Sequence, residues 1–276
     1  MTEAWHRPSP DQQRPLVIAH RGASRAAPEN TVAAFNLAVS AGADMIETDA
    51  QLSADGAVVL SHDVDLLRAT GRPGRIDALT LEQILEYDAG FTYRAKNASG
   101  YPYRDRGVRV PVLDDVLDRL SQSNRAIALN VEIKRQGGQR TAELSVAVCR
   151  LLRDREALDT TLVSSFDEEA LAVVRSTEPE LNTASLVDAD ADLVRAATVA
   201  GTAGHIAIHP HASLVGAGEQ ARARVVAIHA AGLRVHVWTV DDPARMRDLL
   251  DAGVDGIITN VPATLRLIVD QTAAMS

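Results

Sequence analysis

The stretch DMIETDAQLSADGAVVLSHD, from Asp44 to Asp63, holds the densest chemistry in the chain. Glu47 and Asp49 stand two apart in a β-rich run. Both side chains therefore leave one face, with their Cα atoms roughly 7 Å apart. Two carboxylates turned toward a core repel each other and lose water. A cation between them would offset both penalties. Asp55-Gly56 then turns the chain back into a second β-rich run ending at His62-Asp63. Folding around Ala54 and Asp55 sets His62 level with Glu47, give or take a residue of register.

Other reactive side chains close other β-rich runs: His20-Arg21, Glu132 with Lys134, Ser164-Ser165, His209 and Trp238. If those ends meet, Glu47, Asp49 and Glu132 form an all-oxygen donor set. Hard oxygen ligands without cysteine suit one divalent cation, Mg²⁺ or Ca²⁺. The alternative is a structural ion network in which the same carboxylates pair with Arg21 and Lys134. Lys134 shares the face of Glu132 and could hold a phosphate oxygen as a point charge. Arg21 could do so with a two-pronged hydrogen bond. His20 and His62 then read as an acid–base pair, one taking a proton from an attacking oxygen and the other giving one to a leaving oxygen. That division of labour is phosphodiester cleavage.

An alternation of strands and helices must position these ends. The strand candidates are residues 16–20, 44–52, 57–62, 126–133, 161–166, 182–187, 205–209, 234–240 and 256–260. Helix-length segments such as TVAAFNLAVSAG, LSVAVCRLLRD and PARMRDLLDAG lie between most of them. Pro243 in a first turn, and Gly42, Gly232 and Gly253 after helices, mark their boundaries. Nine strands is one too many for a (β/α)₈ barrel. A parallel crossover needs a dozen or so residues, and far fewer separate the second run from the third. Those two form a hairpin, which leaves eight strands for a TIM barrel. Catalytic groups in such barrels gather at the C-terminal strand ends. Residues 64–112 interrupt the alternation and contain all four tyrosines. They read as a lid or binding insertion over the barrel mouth, or as a structural plug. The expected organisation is a tail over 1–15 and a single barrel domain over 16–276.

Bulk properties narrow the partners. The chain has 276 residues, 46% of them hydrophobic, enough for one large core. A net charge of −9 argues against nucleic acid or an anionic membrane as the general partner. The one cysteine, Cys149, excludes an internal disulfide and fits a reducing compartment. No apolar run follows a basic start, and none reaches the ~20 residues a membrane span needs. A cytoplasmic protein acting on a small molecule, without stable membrane association, is expected; oligomeric state is left open.

The segments AHRGASRAAPENTVAAF, GADMIETDAQLSADGAVVLSHDVDLLRATG, LNVEIK, VSSFDEEAL, VHVWTV and GVDGIITNVP resemble the glycerophosphodiester phosphodiesterase family. They cover nearly all of the chain from Leu16 to Pro262. The resemblance implies a TIM barrel with an insertion after the HD motif. It also implies metal-dependent hydrolysis of a glycerophosphodiester to sn-glycerol 3-phosphate and an alcohol. The family's metal-binding carboxylates fall on Glu47, Asp49 and Glu132, its histidines on His20 and His62, and its phosphate-contacting residues on Arg21 and Lys134. The matching tryptophan makes Trp238 an aromatic wall of the site. The resemblance further suggests attack on phosphorus by the neighbouring glycerol hydroxyl, through a cyclic phosphate. Two other readings stay open: a lysophospholipase D or C on the same barrel, and an inactive phosphodiester-binding protein.

Weaker signals have plainer expectations. Asn30 or Thr31 caps a helix, and Glu29 stands close enough to the HRG turn for a site role. His209 and His211 belong to a loop near the mouth rather than to a metal site. Asn260 replaces an aspartate common in the family and is expected to touch none of the core motifs.

Overall fold

The structure is a computed structural model that describes residues 14–95, 99–122 and 126–275. The tail expected over 1–15 lies outside them except for its last two residues. Nine strands form one sheet: β1 (Leu16–His20), β2 (Met45–Leu52), β3 (Val58–Leu60), β4 (Ala128–Ile133), β5 (Thr161–Ser165), β6 (Asn182–Val187), β7 (Ala207–Pro210), β8 (Arg234–Val237) and β9 (Gly256–Thr259). Their order is β1-β9-β8-β7-β6-β5-β4-β2-β3, and β1 also pairs with β2, which closes a barrel of eight parallel strands. β3 stays outside the ring, antiparallel to β2, with Ala50 opposite Leu60. That register carries on to set His62 across from Thr48, one residue from Glu47.

Alternation along each strand divides the core. On β1, Val17 and Ala19 face the helical layer, in a large cluster with Ile46, Val131 and Val163. Ile18 points inward with Met45, Ala128, Leu162, Ala184, Ala207 and Ile258. Inward positions at the C-terminal ends then become polar: His20, Glu47, Asp49 and Glu132. The apolar plug below them anchors the strands, so the period of two delivers these groups to one mouth.

The turn after β1 explains the HRG sequence. Arg21 and Gly22 both lie in the left-handed region, at φ 54° and 81°. A Cβ on Gly22 would sit 2.7 Å from the Ala34 backbone and side chain, so only glycine lets the turn pack on helix Val32–Ser40. Thr31 caps that helix, its Oγ1 accepting from the Ala34 N–H.

The insertion is not slack. Short helical turns at Leu67–Thr70, Ile76–Ala78 and Leu81–Ile84 surround a small core of Val59, Leu66, Ile76, Ile84, Tyr87, Ala89 and Val110. The Tyr93 hydroxyl donates to the Arg25 carbonyl at 2.7 Å, which ties the insertion to the loop after β1.

Candidate active site

A cavity of about 170 Å³ opens at the C-terminal ends of the barrel strands, lined by His20, Arg21, Glu47, His62, Glu132 and Lys134 among others. β1, β2 and β4 are neighbours in the ring, and β3 follows β2 by hairpin, so four adjacent strands supply this chemistry.

Glu47, Asp49 and Glu132 each offer a carboxylate oxygen within 4.8 Å of the others. Arg21 Nε lies 3.1 Å from Asp49 Oδ2, and Lys134 Nζ lies 2.8 Å from Glu132 Oε1 and 3.4 Å from Asp49 Oδ1. The Arg21 backbone N–H donates to Glu47 Oε2 at 2.9 Å. Three carboxylates thus face two cationic side chains, and the balance is uneven. Burial pushes Asp49 up, but Arg21 and Lys134 outweigh it and hold Asp49 at about 2. Burial, then the Asp49 charge, raises Glu132 to about 7. Burial and the charges of Asp49 and Glu132 raise Glu47 well above the usual carboxylate range. The two protein cations therefore do not satisfy the trio. A further positive charge fits there, and all-oxygen donors suit a hard divalent ion. Asp49 Oδ1 is buried, faces Lys134 Nζ and accepts no hydrogen bond among the described residues, which leaves it open to such an ion.

Both imidazoles are fixed through Nδ1. His20 Nδ1 lies 2.8 Å from Asn260 Oδ1, and His62 Nδ1 lies 2.7 Å from Asp63 Oδ1. Each partner oxygen is an acceptor, so each Nδ1 carries the proton and leaves Nε2 for the cavity. Burial, then the Arg21 charge, lowers His20 to about 4. Burial also lowers His62, against the opposing pull of Asp49.

Surrounding residues hold this set in place. The Asn30 amide donates to Asp49 Oδ2 at 2.7 Å and accepts from Thr48 Oγ1, so Asn30 orients Asp49 while Thr31 does the capping. Glu29 bridges Arg21 and the insertion's Arg68, and Arg68 also holds Asp63. Trp238 and Phe166 meet edge to face, ring centroids 5.6 Å apart, at the cavity wall. His211 packs on Trp238. His209 is not in a mouth loop: it lies fully buried on β7, its Nε2 3.0 Å from His236 Nδ1.

Asn260 corrects the expectation that it touches no core motif. Its Oδ1 faces His20 Nδ1 and Ser24 Oγ, and its Nδ2 donates to Asp241 Oδ2 at 2.8 Å. The strand-end rule could have found it, since Asn260 directly follows β9. Asp63 carried an equal signal as the neighbour of His62.

Comparison with known proteins agrees with this architecture. The chain matches the model of the glycerophosphoryl diester phosphodiesterase family over residues 20–264. It is 33% identical over 270 residues to a glycerophosphodiester phosphodiesterase of Bacillus subtilis, covering 92% of this chain and 85% of the relative. An Oleispira antarctica phosphodiesterase, solved in complex with the product sn-glycerol-3-phosphate, superposes with a TM-score of 0.81 at 29% identity, covering 93% of this chain and 97% of that one. A glycerophosphodiester phosphodiesterase of Agrobacterium tumefaciens gives 0.73 at 27%, covering 91% and 98%. With its barrel, its acidic trio and a family match spanning most of its length, the chain belongs to the glycerophosphoryl diester phosphodiesterase family of hydrolases.

Proposed function

We propose that this protein hydrolyses glycerophosphodiesters to sn-glycerol 3-phosphate and an alcohol, using one divalent cation, Mg²⁺ or Ca²⁺, and an acid–base pair of histidines. The observation that carries the reading is the meeting of two Nδ1-anchored imidazoles with the acidic trio in one cavity. The product complex of the Oleispira relative supports the choice of substrate.

Glu47, Asp49 and Glu132 would hold the cation, which when bound neutralises charge on the phosphoryl oxygens. Arg21 and Lys134 add fixed positive charge beside it. His20, partnered by a neutral amide, stays neutral and accepts the proton of the glycerol hydroxyl next to the phosphoester. That oxygen attacks phosphorus within the same molecule, which removes most of the entropic barrier. His62, partnered by the Asp63 carboxylate, is the imidazole better able to carry a proton, and it gives that proton to the departing alkoxide. The P–O bond to the alcohol breaks as the ring P–O bond forms. Water then opens the cyclic phosphate with the two roles reversed, and sn-glycerol 3-phosphate leaves. Trp238 and Phe166 wall the side from which the alcohol departs.

The test is release of glycerol 3-phosphate from glycerophosphocholine with EDTA, then with Mg²⁺ and Ca²⁺ restored in turn. Release that stops with EDTA and returns with either metal is expected, together with a trappable cyclic glycerophosphate. No release under any metal would point to an inactive phosphodiester-binding protein. Normal turnover of a diester lacking the neighbouring hydroxyl would remove the cyclic route.

A further inference from the structure

Beside the acidic trio, the cavity wall carries two polar side chains that the mechanism above does not use. Asn130 lies across from Glu47 in the β2–β4 register, and Ser164 lies across from Glu132 in the β4–β5 register. Both line the cavity and both are fully buried. Asn130 Oδ1, Asn130 Nδ2 and Ser164 Oγ have no hydrogen-bond partner among the described residues. Leu186 and Ile258, which also line the cavity, offer no polar atom. A buried carboxamide with both ends free, with a free hydroxyl lining the same cavity, is uncommon in a native core and calls for a ligand with matching donors and acceptors.

A hydroxyl is that match, because it accepts from Nδ2 and donates to Oδ1 or Oγ. A phosphoryl group is not, since it only accepts and is already served by Arg21, Lys134 and the cation site above. We propose that Asn130 and Ser164 read the terminal hydroxyl of a deacylated glycerol that enters the barrel first, while the alcohol stays out at Phe166 and Trp238. This rests on the proposed phosphodiesterase activity and sets its substrate class. An acyl chain on that hydroxyl would remove its donor and drive hydrocarbon against the unpaired amide, so lysophospholipids are excluded there. The alcohol, meeting a half-open aromatic wall where Phe166 is 39% exposed, is read loosely.

Three substrates test it: glycerophosphocholine, its counterpart built on propane-1,2-diol, and a 1-acyl lysophosphatidylcholine. The second keeps the attacking hydroxyl and lacks only the terminal one. The wild type should favour the glycerol diester over the propanediol diester by at least about tenfold in kcat/KM, with little choline release from the lysophospholipid. Asn130→Leu and Ser164→Ala should each collapse the glycerol-to-propanediol ratio toward one. Equal wild-type rates on the first two substrates would overturn the proposal without any variant. So would variants that fold and keep the wild-type ratio, or efficient turnover of the lysophospholipid. Failure of every substrate to react would instead remove the activity itself, and this proposal with it.

Discussion

His20 Nδ1 and Asn260 Oδ1 stand 2.8 Å apart, and the far side of the same amide donates to Asp241. Because Asp241 accepts at Nδ2, the amide cannot flip, and its oxygen must face His20. An aspartate at 260 would set two carboxylates against each other. Asn260→Asp alone should therefore lower stability and activity together. Asp241→Asn added to it should restore the fold and leave His20 beside a carboxylate. An opposite charge raises the pKa of an imidazole by about 1 unit or more. In the proposed role of base, His20 works only when neutral; burial and Arg21 lower it to about 4, so the acid limb of kcat/KM should move to higher pH in the double variant. A limb that stays put would show that His20 is not the base.

The acidic trio predicts an inverse relation between activity and metal-free stability. Burial and Asp49 raise Glu132 from the usual range to about 7. A carboxylate whose pKa is raised on folding binds more protons folded than unfolded between those values. The Glu132 contribution to metal-free stability should thus fall as pH rises from about 4.5 to 7. Glu132→Gln should reduce that fall, stabilising the EDTA-treated protein at pH 7 by roughly 2–3 kcal/mol while abolishing turnover at ordinary metal levels. Unfolding of the metal-free variant would mean that the trio serves a structural ion network instead.

Gly22 offers a sharper structural test. Its φ of 81° and the 2.7 Å approach to Ala34 leave no room for a methyl group. Gly22→Ala should destabilise the fold by about 1–3 kcal/mol. It should also misplace the Arg21 N–H that meets Glu47, so turnover falls further than the melting temperature alone would suggest. Thermal melts and kcat measured on the same samples check this, and a fully active variant would sink it.

Much of the fold was legible because its signals are local. Turn length alone separated the β2–β3 hairpin from the eight parallel strands, and strand-end position collected Glu47, Asp49, Glu132, His20 and His62. What escaped depends on contacts between distant segments. Asn30 reads as a cap because asparagine caps helices, yet it reaches across to Asp49 while Thr31 takes the cap. Asn260 lies 240 residues from His20 in the chain, a separation that pattern reading does not bridge, yet barrel closure makes β1 and β9 neighbours. His209 ends a strand candidate and reads as part of a mouth loop, whereas β7 runs on through Pro210 and His209 is fully buried against His236.

That inward His209 and its partner His236 predict acid sensitivity. Both are fully buried. Burial lowers His209 to about 3, and burial with the neighbouring His209 lowers His236 well below its ordinary range. A histidine with a depressed folded pKa binds fewer protons folded than unfolded below about 6.5. The pair's contribution to stability is therefore full above that pH and declines as pH falls toward the folded value, by about 1.4 kcal/mol per pH unit for each histidine. His20 and His62 are lowered too and add in the same direction. Replacing the pair by His209→Gln and His236→Gln should accordingly reduce the slope of stability between pH 6.5 and 5 without abolishing it. Urea unfolding of wild type and double variant at several pH values measures that slope. An unchanged slope would mean the buried imidazoles accept protons in the folded state, against the geometry that leaves His209 Nδ1 and His236 Nε2 without partners among the described residues.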